Sequence, residues 1–488
     1  MLGRVKRQGD FFDSYVYENL LPKSHILLEI KERIDFSFVE EELRDLYDAS
    51  NGRPSYPPEV LFKILFLEFY YNLSDVEVVK QCQVNILYRY FVGLSVHDSI
   101  PDDSTLVVFR ARCGRERFER LFDRVVEKCR EEGLLRERVK IVDATSIEGD
   151  VAIPNTVNLL RQGRRVIIKR IIRQRPEEDE ELSEYFTRER LHEKPKEREL
   201  KEEICRTREF VEKVRGRFGD EVEELLEWLE GLYEQDRGKA KICSFIDTDC
   251  RHGVKSPRRM FSGYKAHIAL DESEIVTSVD LLQGNQNEGS QLRCLIEKEE
   301  AKGIKAEAVV ADALYDSASN REDIHGRGMK AYIALRRSNK QAKGFVYDPR
   351  SDTLICPQGV RSKEVKNPQG RGKFYNFAVE ICKGCRCKCQ AFKGNRSRIY
   401  ISDDYRLKLE DDDEFYSEAM ELRKRVERKF GEAKKWHGLR RARYRGKWRV
   451  AIQCLMTFLV LNVKRMVKLL KDDQKPHPLQ SKPALVTS

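Results

Sequence analysis

Several familiar signposts are missing from this chain. The opening stretch "MLGRVKRQGDFFDS" carries basic residues with no apolar core behind them, which excludes a typical secretory leader. No apolar run is long enough to suggest a bilayer span: the longest, Ala451 to Val463, is interrupted by Gln453, Thr457 and Asn462. A glycine-rich loop of the kind that cradles phosphates is also lacking, which argues against nucleotide hydrolysis. Most of the 13 cysteines stand singly, so a secreted disulfide framework is excluded. These absences predict a cytoplasmic protein without a membrane partner.

What the chain has in abundance is charge. Of 488 residues, 36% are charged, with 92 Lys and Arg against 82 Asp and Glu. The net excess of +10 is mild for this length, but it is concentrated. Residues 421–450 hold thirteen Lys or Arg and three acids, a local footprint of the kind that meets phosphate backbones.

The length suggests about two to four domains. Residues 1–55 read as an N-terminal segment of short helices and turns. Pro57-Pro58 opens a strongly helical stretch, 56–136, in which Ser74 and Glu77 form a capping box. Tight turns make this a candidate helix-turn-helix DNA-binding domain, with a plain helical bundle equally compatible. Strands follow at Val139–Val142, Lys265–Leu270, Ile275–Leu281, Ala308–Ala311 and Lys330–Leu335, with a helix before Gly303. The alternation predicts an α/β core assembled from 137–155, 243–342 and 403–470. A charged helical insertion, 156–242, has Val222, Leu225, Leu226, Leu229 and Leu232 on one face and a turn at Phe218-Gly219-Asp220. It reads as a solvated helical hairpin, or else as a clamp for DNA or a partner. A basic, cysteine-bearing insertion, 343–402, reads as loop-rich, and the polar tail, 471–488, as disordered.

Two stretches share a design. "RVKIVDATSIEGD" and "AEAVVADALYDS" each drive an apolar strand into an acid, Asp143 and Asp312. A carboxylate at the end of a buried strand is costly without a partner, and a metal ion is one such partner. A third acid is Glu427. At about 100° per residue, Arg423, Glu427 and Lys434 fall within roughly 40° on one helix face, while Glu432 lies about 140° away from Glu427. A carboxylate flanked by two cations suits phosphodiester chemistry, the acid toward metal and the cations toward phosphate oxygens. A solvated helix with an ordinary ion pair accounts for the same spacing.

Cys382-x2-Cys385, with Cys389 and the distant Cys356, offers a four-cysteine structural zinc site. Reduced thiols in a basic loop are the alternative.

Taken in order, these motifs resemble those of the DDE transposases of bacterial insertion sequences. "IVDATSIEGD" resembles that family's first-aspartate strand and "VVADALYDSASN" its second-aspartate motif. Arg423, Glu427 and Lys434 match the last three members of its Y-R-E-K signature, whose tyrosine position is Met420 here, with Tyr416 one turn earlier. "FSGYKAHIALDESEIVTSVDLLQGNQNE" resembles the intervening strand pair, and "GRPSYPPEVLFKILFLEFYYNLSDVEVV" the preceding helical domain. The resemblance implies a ribonuclease-H-like catalytic fold in which Asp143, Asp312 and Glu427 hold two Mg²⁺ or Mn²⁺ ions. It implies element-end hydrolysis followed by strand transfer from the freed 3′-OH. It further implies phosphate contacts from Arg423, Lys434, Arg440, Arg441, Arg443 and Arg445, DNA as partner, and a homodimer in the DNA complex. A catalytically silent DNA-binding descendant and a nuclease without strand transfer are the alternatives.

Overall fold

The computed structural model describes residues 11–48, 55–234, 242–256, 259–335, 344–348, 350–366, 372–386, 392–393, 396–411 and 414–473. The chain opens with helices: α1 (Phe11–Leu20), α2 (Ile26–Arg33), α3 (Phe38–Leu43), α4 (Pro58–Tyr71), α5 (Asp75–Val84), α6 (Ile86–Val92) and α7 (Asp103–Glu131). Helix α4 is apolar nearly all round because it is buried nearly all round, from Pro58 through Phe69. Pro58 fills its first position, where no amide donor is needed, and Asn72 ends it in the left-handed region. Both halves of the Ser74–Glu77 capping box are formed at α5.

Next come β1 (Val139–Glu148) and a helical unit of α8 (Thr156–Gln174), α9 (Asp179–Leu182), α10 (Glu197–Val214) and α11 (Asp220–Glu230). These helices enclose a core of their own, with Ile167, Ile168, Phe210, Val222, Leu226 and Leu229 buried and Leu225 and Leu232 packed at its margin. Gly219 caps α11 at the turn between α10 and α11.

The main sheet follows: β2 (Arg251–Ser256), β3 (Arg259–Asp271), β4 (Val276–Gln283), β5 (Ala308–Ala311) and β6 (Lys330–Ile333), with α12 (Leu292–Ala301) and α13 (Ala318–Gly326) between the last strands. Its order is β2-β3-β1-β5-β6, with β4 also paired to β3. β1 is antiparallel to β3 and parallel to β5, and β5 is parallel to β6. One face is covered by α12 and α13 through Leu292, Leu295, Ile296 and Ile324. The strands read as continuous apolar runs because the other face is covered as well.

Small strands come after β6: β7 (Val346–Asp348), β8 (Thr353–Ile355), β9 (Glu364–Lys366), β10 (Lys373–Asn376), β11 (Phe392–Lys393) and β12 (Arg396–Ile401), with α14 (Val379–Lys383). They fold around Tyr347, Leu354, Tyr375 and Ile399. The sequence reads this stretch as loop-rich because strands of two to six residues are too short to display an alternating pattern. The chain closes with α15 (Asp403–Glu410), α16 (Phe415–Leu422), α17 (Lys424–Trp436) and α18 (Lys447–Asp473). The expected tail beyond Asp473 lies outside the described residues.

Helix α18 is long and apolar enough, by length and composition, to cross a membrane, yet it is a core helix here. Every residue from Val450 to Val463 is buried. Two of the three polar interruptions, Gln453 and Asn462, have partners, while the buried Thr457 hydroxyl has none among the described residues. The Asn462 side chain closes both backbone groups of Val276 at 2.7 and 2.8 Å. Gln453 donates to the carbonyls of Arg441 and Gly438 and accepts from the Arg443 amide, so it holds the loop that precedes its own helix.

One expectation changes. Asp143 is not at the end of β1, since β3 pairs with that strand as far as Glu148. What ends near Asp143 is the parallel neighbour: β5 pairs only through Ile141↔Val310. Between that point and Glu148, where the loop around Arg441 bonds to it, β1 has a strand partner on one edge only among the described residues.

Candidate active site

The register of β1 and β5 decides where two of the acids lie. Because Ile141 is opposite Val310, the residues two further on, Asp143 and Asp312, come to neighbouring positions on one face. That face is the one covered by α17, through Val426 and Phe430. Asp312 also begins a 3-10 turn, accepting a 2.8 Å hydrogen bond from the Leu314 amide. Asp143 accepts from the Ala144 amide at 2.7 Å.

Arg423, at the junction of α16 and α17, links the strands to the helix. Its guanidinium donates to Glu427 at 2.9 Å and lies 3.8 Å from an Asp143 oxygen. Asp143 keeps only 17% of its side chain exposed, whereas Glu427 keeps 58%. Burial pushes the Asp143 carboxyl up to about 7. The charges of Asp312 and Glu427 push the same way, against the Ala144 hydrogen bond and the Arg423 charge. Asp143 thus senses two further carboxylates and the Arg423 guanidinium. Hard oxygen donors with surplus negative charge fit a hard divalent cation. As the side chains stand, no three His, Cys, Asp or Glu groups among the described residues converge tightly enough to hold one. Glu427 is turned to Arg423 and would have to leave it.

Behind the sheet, on the face opposite Asp143, His267 and Tyr315 stack at 5.8 Å, both fully buried and with side-chain polar atoms unpaired. Glu288, at the mouth of this region, is held by Lys265 at 2.5 Å.

The other cations disperse. Lys434, two turns beyond Glu427, has its ammonium pushed down to about 8, first by burial and then by Lys255, Arg440 and Arg259, with Glu148 opposing. Arg440 and Ala442 bond through their backbones to Glu148, so the basic loop lies against the end of β1. Arg441 and Arg445 pair with Asp150 at 3.2 and 3.3 Å with more than half of each cation exposed, contacts weak enough to exchange for phosphate. Arg443 is committed elsewhere: it donates to Glu68, Asn72 and the Leu73 carbonyl and lies 4.7 Å from the Phe69 ring. Glu68 also meets Arg110, which pairs with Asp75 at 2.6 Å. This buried network ties the helical region to the basic loop. Glu432 accepts from Lys464 at 2.6 Å, away from the acids. Tyr416 packs on Tyr332 and Lys408, and Met420 packs into the core.

The zinc expectation finds no support. Among the described residues Cys356, Cys382 and Cys385 form no disulfide and do not gather into a metal-binding group, and Cys389 lies outside those residues.

Sequence reasoning overlooked Lys255 and Arg259. The signal was there in "HGVKSPRRMFSGYK", two alternating runs around a Pro-containing turn set between basic residues.

Residues 15–112 match the family model described as Transposase domain (DUF772), and residues 241–463 match the one described as Transposase DDE domain. The second span includes Asp312, Arg423, Glu427 and Lys434, and Asp143 falls between the two.

Proposed function

The chain belongs to the DDE transposases of insertion-sequence type, and on that premise we propose that it is an active DNA transposase. It hydrolyses phosphodiester bonds at the ends of its element and joins the freed 3′-OH to target DNA. One observation carries this reading: the strand register sets Asp143 beside Asp312, with Arg423 bridging Asp143 toward Glu427. A ribonuclease-H-like core is supported by the order β4-β3-β1-β5-β6, antiparallel in its first three strands and parallel thereafter.

Asp143, Asp312 and Glu427 would hold Mg²⁺ or Mn²⁺. Such a pair of ions, when bound, supplies Lewis-acid polarisation of the phosphate and a more acidic attacking water. The rest falls to the chain itself. Arg423 releases Glu427 and donates to a phosphate oxygen. Asp143 and Asp312, fixed on adjacent strands, set the position of the scissile phosphate. Lys434, Arg440, Arg441 and Arg445 neutralise the DNA on either side, while Arg443 positions their loop. Residues 56–136 act as the DNA-binding domain, and two copies act together on paired ends.

The test is cleavage of a duplex carrying the DNA that borders the coding region. With Mg²⁺ the wild type cuts it, whereas Asp143→Ala, Asp312→Ala and Glu427→Ala bind it without cutting. Glu432→Ala, whose partner is Lys464, keeps cleaving. A Glu427→Ala protein that cuts at the wild-type rate, beside a silent Glu432→Ala, overturns the assignment.

A further inference from the structure

β3 outruns β1. Gly263 pairs with Glu148, the last residue of β1, and Arg259 to Ser262 continue beyond it with β2 as partner. β2 and β3 therefore form a two-stranded ribbon that overhangs the carboxyl end of β1. Its root is close-packed. A Cβ at Gly263, whose φ is +156°, would lie 2.0 Å from the Ile147 carbonyl oxygen, and one at Gly253 would lie 2.4 Å from that of Gly284. Arg251, also at the root, is buried and lies 4.7 Å from the Trp228 ring.

The overhanging part has an unusual surface. Val254 and Met260 face each other across the two strands and are 64% and 68% exposed. Lys255 and Arg259 adjoin them, both exposed. Lys255, Arg259 and Arg440 all lie close enough to Lys434 to act on its charge, with Glu148 opposing. Such a cluster is self-repulsive until an anion arrives. A phosphate backbone satisfies the cations but gives Val254 and Met260 nothing to cover. A groove does: a two-stranded ribbon fits the major groove, where apolar side chains meet thymine methyl groups.

We propose that the β2–β3 ribbon enters the major groove of the duplex held at the acidic site, with Val254 and Met260 against base edges and Lys255, Arg259, Arg440 and Lys434 on the flanking phosphates. The proposal rests on the transposase reading and gives the DNA a direction. At about 3.3 Å per residue, Glu148 lies roughly 16 Å beyond Asp143, and the level of Met260 roughly 26 Å beyond it. At about 3.4 Å per base pair, the ribbon contacts fall roughly five to eight base pairs from the cut.

The experiment uses the full chain and a 40-base-pair duplex of the bordering DNA. Benzoylphenylalanine replaces Met260 or, as a control, Val346, which is 62% exposed on β7. Irradiation in EDTA crosslinks the Met260 probe to nucleotides in the five-to-eight window, and the Val346 probe gives no such crosslink. In parallel, Lys255→Ala/Arg259→Ala lowers the salt-dependence slope of binding by about 1.8, which at 0.1 M salt is about eightfold in affinity for each cation. A silent Met260 probe, a crosslink outside the window or an unchanged slope overturns the proposal. If the wild type neither binds this duplex nor cuts it with Mg²⁺, the transposase reading fails and takes the ribbon with it. If the wild type cuts normally and the ribbon probes are silent, the ribbon alone fails.

Discussion

Asp143→Asn should make the metal-free protein more stable while removing its activity. The carboxyl is pushed from its ordinary 3.8 to about 7, mainly by burial. A raised carboxylate pKa means that the native protein holds more protons than the unfolded chain between those values. Stability therefore falls as pH rises through the window, and the loss is complete above about pH 7. With about 1.36 kcal/mol for each pH unit, the ionised carboxylate costs about 2 kcal/mol at pH 5 and about 4 kcal/mol at pH 8. The amide of Asn has the same shape and carries no charge, so the variant escapes this cost. For a cooperative unit on the order of 200 residues, with about 2.1 cal/mol/K per residue, 4 kcal/mol corresponds to a rise of up to about 10 °C. The assay is thermal unfolding of wild type and variant in EDTA at pH 5 and pH 8. The variant should melt higher at both, with the larger gap at pH 8. Added Mg²⁺ should then raise the wild type and leave the variant unmoved, because a cation that binds only the native site stabilises only the protein that has it. A variant that melts at or below the wild type in EDTA at pH 8 would refute the claim that Asp143 is an under-compensated buried acid.

Two further outcomes test the surroundings of the site. Glu68→Ala takes from Arg110 and Arg443 a carboxylate that is 2% exposed but leaves them Asp75 and the Leu73 carbonyl, and should cost about 1–3 kcal/mol in urea unfolding. A loss below about 1 kcal/mol would show that the network does not hold the helical region to the basic loop. Lys434, pushed down to about 8, is charged below that pH and neutral above it. DNA affinity of the wild type should therefore decline between pH 7 and pH 9, while Lys434→Arg, charged throughout, should show a flatter profile in fluorescence anisotropy. Parallel profiles would remove Lys434 from the phosphate contacts.

Much of this fold is written locally. Val139–Val142, Ala308–Ala311 and Lys330–Leu335 read as strands because buried parallel strands are apolar on both faces, the last of them ending two residues earlier at Ile333, and Ser74 and Glu77 announce their helix by capping chemistry. The helix around Glu427 shows its stripe of Arg423 and Lys434 because i, i+4 and i+7 neighbours share a face. The small strands after β6 left too little pattern to read. Other residues changed meaning only in three dimensions. Arg443 looked like its basic neighbours, yet its guanidinium is taken by Glu68, 375 residues away in sequence. Gln453 and Asn462 looked like flaws in an apolar run, and they close backbone groups that the core would otherwise leave unpaired.

The sequence by itself determined which acids and cations were available, because a strand or helix fixes the spacing of side chains along its own axis. Tertiary structure alone decided their company. The β1–β5 register brought Asp143 and Asp312 to neighbouring positions, the turn into α17 brought Arg423 between Asp143 and Glu427, and the longer β3, with β2 paired to it, carried Val254 and Met260 past the end of β1. Those juxtapositions join residues up to hundreds of positions apart, and no local preference specifies them. They follow from burying both faces of one sheet at once.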